Sequence, residues 1–68
     1  MTETLRQSLI RNTLDTLMHY ASADRAHDDH GRAFACGEYV GLTTLLILGG
    51  ATDTYHTLNS LAVAVRGY

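Results

Sequence analysis

The stretch His27-Asp28-Asp29-His30 places two imidazoles at i, i+3 and two carboxylates within four residues, the densest gathering of ligand and acid–base side chains in the chain. Such donors suit part of a zinc or nickel site, but a structural site of that kind wants four ligands. The other available donors, His19, Cys36 and His56, stand at no metal-binding spacing. A His-Asp pair also belongs to metal phosphohydrolase chemistry, which needs further His and Asp ligands spread over a much longer helical domain. A polar interhelical turn whose aspartates cap the next helix explains the same four residues, so no metal or other cofactor is assigned.

Nucleophilic chemistry finds less support. Cys36 lies among Phe34, Ala35, Gly37 and Val40, surroundings that suit a small buried hydrophobe rather than a thiolate. The four tyrosines, the hydroxyls and Glu38 make no triad, and a chain this short leaves little room for a concave site with convergent groups. The chain is therefore read as noncatalytic. Glu38 is the lone charge between Arg32 and Asp53, a position that fits the solvent edge of a helix beside an arginine.

The elements that must carry these residues follow from the arithmetic. A chain of 68 residues with 46% hydrophobic content is one small folded domain, residues 1–68, and not a disordered tail. Chains of this size bury only about 60% of their unfolded surface, and one core rarely yields more than roughly 3–5 kcal/mol. Support from elsewhere is expected, and a single cysteine cannot supply it through an internal disulfide. The opening Met1-Thr2-Glu3-Thr4 has no basic and apolar signal pattern, so a cytoplasmic location is expected. Five arginines against seven acids give a net charge of −2 with no basic run, which argues against tight nucleic-acid binding.

Without proline, glycine and polar clusters punctuate the chain, at Ala26 to Gly31 and at Gly49-Gly50. These breaks predict an all-α fold, a helical hairpin plus a third short helix, over about residues 3–25, 31–48 and 53–66. In the first segment Leu9, Ile10, Leu14, Leu17, Met18 and Ala21 form the apolar stripe, with Thr2 as N-cap and Arg11, Asp15 and His19 on the solvated side. Capped by Asp28 or Asp29, the second segment has almost no polar face, because Leu42, Leu45, Leu46, Ile47 and Leu48 point all round the axis. In the third, Thr52 is the expected N-cap, Tyr55, Leu58, Leu61, Ala62 and Val65 make one stripe, and Gly67 ends the helix.

Packing expectations follow for the second helix. Ala33, Gly37 and Gly41, four residues apart, form a groove of small residues for the first helix to occupy, so that Gly41→Leu should disrupt packing far more than Thr43→Leu. Ala35, Tyr39, Leu42 and Leu46 form the opposite, large-residue edge. With more apolar surface than two amphipathic neighbours can shield, the fold is expected to be completed by oligomerisation, most simply a homodimer through Tyr39, Leu42 and Leu46. Membrane insertion is not expected, since the uncharged run from Tyr39 to Ala51 covers thirteen residues and a span needs about 20.

The second and third segments together also suit a helix-turn-helix, the alternative assignment as a small DNA-binding regulator. Its reading positions would be Thr54, His56, Thr57, Asn59 and Ser60, none charged at neutral pH, with Asp53 facing the phosphates. The run from Gly37 through Gly41, Leu42 and Leu45 to Gly49-Gly50, Thr52, Tyr55 and Leu58 resembles a pattern of small helical accessory proteins of bacteriophages and mobile elements. That resemblance covers the second half only and carries no active residues. It implies a noncatalytic factor that binds a host or phage protein, as a modulator or inhibitor of a host pathway.

Overall fold

The first two helices begin where a side chain completes the backbone hydrogen bonds of the first turn. In the computed structural model, which describes residues 1–67, the Thr2 side chain accepts from the Leu5 N–H at 3.2 Å and starts α1, Glu3–Arg25. On the first turn of α1, Glu3 accepts from Arg6 and Gln7, a carboxylate placed at the positive helix end. Asp28 caps α2, Asp29–Leu48, by accepting from the Gly31 N–H at 3.0 Å. The third helix, α3, Thr52–Arg66, departs from expectation: its N-cap is Ala51, with no side-chain bond, and Thr52 is already helical. Tyr68 lies outside the described residues.

The two links share one hydrogen-bond pattern. After α1 the Asp28 N–H donates to the Ala23 carbonyl at 2.9 Å and the His27 N–H to Asp24 at 3.1 Å; after α2 the Ala51 N–H donates to Leu46 at 2.9 Å and the Gly50 N–H to Ile47 at 3.1 Å. Both are Schellman closures, which need a left-handed residue at the second link position. Gly50 takes that conformation at φ 83° without a Cβ to obstruct it, whereas His27 takes it at φ 55°. Links this short make consecutive helices antiparallel neighbours, giving an up-down-up bundle with extents of 37 × 18 × 15 Å.

The α1–α2 hairpin is in contact along most of its length, and α3 touches both helices over fewer positions. Leu9, Leu46 and Leu58 make one buried cluster, flanked by Ile10, Leu42, Ala51 and Tyr55. Leu17, Tyr39 and Ala62 make another. Thr13, Thr16 and Thr43 are buried with them. The Thr13 hydroxyl donates to the Leu9 carbonyl and that of Thr43 to the Tyr39 carbonyl, both at 2.7 Å. A threonine bonded back onto its own helix keeps its hydroxyl satisfied while a methyl group faces the neighbour.

The inward stripe of α1 is therefore rotated from the predicted one. Thr13 and Thr16 take core positions, while Leu14 and Met18 are exposed, the latter to 68%. Close approach of α1 to α2 also occurs on a different row of small residues. A Cβ added at Gly31 would stand 2.9 Å from the Ala23 Cβ, and one at Gly49 would strike Met1, whereas at Gly37 and Gly41 it would meet nothing within 4 Å. Ala33, Gly37 and Gly41 are exposed, so the groove expected to receive α1 is open to solvent. α1 lies instead beside the row of α2 that begins with Gly31 and Ala35.

Among the described residues, no helix is long and apolar enough to cross a membrane.

Candidate protein-interaction surface

The positions expected to meet a second copy, Tyr39, Leu42 and Leu46, all lie on or beside the inward side of α2. Leu46 is fully buried and Tyr39 is 8% exposed, so both belong to the core of one subunit, and Leu42 is half-buried beside Leu46. The reason is α3, which covers the large-residue edge: the Tyr39 hydroxyl donates to Asn59 Oδ1 at 2.9 Å, and Arg66 lies over the Tyr39 ring at 5.9 Å. Burial, and next the nearby Tyr55, push the Tyr39 phenol above its ordinary range, with Arg66 opposing. The same bond turns Asn59 toward the core, which removes it from a DNA-reading face. Thr57 and Ser60 donate to the carbonyls of Asp53 and His56 on their own helix.

The side of α2 facing away from the bundle carries large apolar groups in water. Phe34 is 70% exposed, Leu45 53% and Leu48 78%, with Val40 and Ile47 also open. Phe34, Gly37, Gly41, Leu45 and Leu48 recur at steps of three, four, four and three residues, which keeps them on one helical face. This spacing was the sequence signal for an outer face. It was hidden because α2 has leucines on every side, and only the position of α3 decides which of them are left out.

A second apolar opening lies between α1 and α3, lined by Leu14, Leu17, Met18, Ala21, Leu61 and Val65. Between α1 and α2 a polar cleft of about 480 Å³ is lined by Asn12, Asp15, Thr16 and His19 on one side and Glu38, Gly41 and Leu42 on the other. It is open to solvent and brings together two carboxylates and one imidazole that make no hydrogen bond with one another among those resolved.

The turn that promised metal chemistry serves as a joint. Asp28 caps α2, and Asp29 with Asp24 engages the guanidinium of Arg32, whose proton these two carboxylates hold more tightly, Asp24 first. His27 supplies the left-handed turn residue, and His30 is exposed on the first turn of α2. Among the described residues no three His, Cys, Asp or Glu side chains converge as a metal site. Cys36 is half-buried and unpaired with another cysteine.

No family model, no characterised protein and no solved structure matches this chain.

Proposed function

We propose that this chain is a noncatalytic protein-binding module that works as an oligomer and takes no cofactor. The observation that carries this reading is the set of large apolar side chains left in water on the outer face of α2, Phe34, Leu45 and Leu48, with Met18 exposed at a second apolar surface between α1 and α3. Exposed apolar groups gathered on one face mark association surfaces on soluble domains. Its partners are a second copy of the chain and another protein, and the resemblance of its second half to phage accessory proteins points to a host protein as the target. The proposed compartment is the cytoplasm, where a host-protein target of this kind would be met.

Photo-crosslinking in the source cells tests the reading. A photoreactive residue at Met18 or Leu48 should give discrete adducts with another protein, far above the yield from the same residue at Arg11 on the solvated side of α1. Equal yields at the three positions would overturn it.

A further inference from the structure

The outer face of α2 is self-complementary about one residue. Phe34 and Leu48 stand seven residues either side of Gly41, and Gly37 and Leu45 stand four either side. A twofold axis through Gly41, perpendicular to the helix, therefore brings a second α2 alongside in the antiparallel sense with Phe34 of each copy level with Leu48 of the other. In that arrangement Leu45 of the second copy lies over the hollow bounded by Phe34, Gly37, Glu38 and Gly41. This is the four-residue hole, at i, i+3, i+4 and i+7, that receives a knob in helix pairing. Two of its four members have no side chain, and the space above both is empty.

We propose that a second copy of this chain docks on this face as an antiparallel α2–α2 dimer centred on Gly41. The area suits that occupant. Phe34, Leu45 and Leu48, exposed to 70%, 53% and 78%, leave on the order of 400 Å² in water on this face, about half of the roughly 800 Å² that one partner contributes to a stable interface. Charge suits it as well. Glu38, exposed in the single chain and lining the polar cleft with Asp15 and His19, stands at the rim of the seam and is the sole carboxylate or cation from Ala33 to Leu48, so the rest of the seam carries no charge. The dimer rests on the protein-binding reading above and fixes one of its two partners.

Sedimentation velocity on the full chain tests it. The native protein at micromolar concentration should sediment at twice the 7.4 kDa chain mass, and Leu45→Glu should sediment at the single-chain mass with an unchanged helical circular dichroism spectrum. A positional arm covers the case in which Leu45→Glu fails to fold. In a Cys36→Ser background, Gly41→Cys puts two thiols at the twofold axis and should form a disulfide-linked dimer roughly tenfold faster than Arg11→Cys, because pairing raises the local thiol concentration. A native chain that sediments as a monomer, a dimer that survives Leu45→Glu, or equal crosslinking rates at positions 41 and 11 would overturn the proposal. Adducts with another protein at Met18 alongside a monomeric chain would remove the dimer and leave the protein-binding reading standing.

Discussion

The two faces of α2 are made from nearly the same residue types and do opposite things. The inward face sets Ala35, Tyr39, Thr43 and Leu46 against α1 and α3 and leaves almost none of their surface in water. The outward face sets Phe34, Leu45 and Leu48 beside two glycines and leaves each of the three more than half exposed. Hydrophobicity alone does not distinguish these faces, since both carry leucine and one aromatic ring. The difference lies in cover, because α1 and α3 pack on one face and not on the other. Each hydroxyl on the inward face, Tyr39 and Thr43, has an acceptor within the subunit, as buried polar groups require. On the outward side the exposed Thr44 hydroxyl also bonds to its own helix, at the Val40 carbonyl, so satisfied hydroxyls are required by burial but do not by themselves mark the inward face.

The sharpest way to break this comparison is to truncate one leucine on each side. Leu46→Ala should destabilise the subunit by about 2–5 kcal/mol, the usual cost of emptying a closed leucine site, seen as a lowered thermal midpoint. Leu48→Ala should leave the dilute subunit's unfolding midpoint nearly in place. Equal losses for the two would mean that the outer face is also structural in the monomer.

Adding bulk gives the next largest contrast. Thr43→Leu should cost about 1–3 kcal/mol by overpacking the buried α2 surface, while Gly41→Ala should stabilise the dilute subunit by up to about 1 kcal/mol through helix propensity alone. Denaturant titration at low protein concentration measures both.

A smaller effect of about 1 kcal/mol is expected for Tyr39→Phe, which removes the hydroxyl bonded to Asn59. It also predicts a pH signature. Burial raises the folded-state pKa of Tyr39 above its ordinary value of 10.0, so its contribution is fully present below that value and is lost as pH rises through the folded one. Thermal midpoints followed from neutral pH to above pH 10 should fall more steeply for the native chain than for Tyr39→Phe. Identical slopes would show that the phenol carries no part of the alkaline sensitivity.

The smallest change, Phe34→Gln, should move the dilute subunit by no more than about 0.5 kcal/mol, as ordinary surface positions do. Its effect should appear in self-association, read by sedimentation.

Three helices, no strand among the described residues and breaks near Ala26 to Gly31 and at Gly49-Gly50 were legible in the sequence, because Asp28 and Gly50 act there through local backbone bonds; α2 begins at Asp29, two residues before the expected start, and Thr52 makes no cap. The helix faces were not legible. Thr13, Thr16 and Thr43 read as polar in a hydropathy pattern but are buried, and at Thr13 and Thr43 the hydroxyl is bonded to its own helix, which leaves apolar surface toward the neighbour. That displaced the α1 stripe toward Leu14 and Met18. On α2 two small-residue rows compete, Gly31 with Ala35 and Ala33 with Gly37 and Gly41, and nothing local to α2 says which one meets α1. The choice is set by α3, whose Asn59 and Ala62 claim Tyr39 for the interior and so fix the rotation of the whole helix.

An odd number of antiparallel helices puts the start of α1 and the end of α3 at opposite poles of the 37 Å long axis. Antiparallel pairing of α2 then sets the end of α3 in one copy at the same pole as the start of α1 in the other. A gene encoding two copies in tandem would need only a short flexible linker to fold as a single-chain version of that assembly, whereas a parallel pairing would oblige the linker to run the length of a helix, about 30 Å for the 20 residues of α2. Linker length thus becomes a ruler for subunit orientation, and a designer could shorten it until one of the two geometries is no longer reachable.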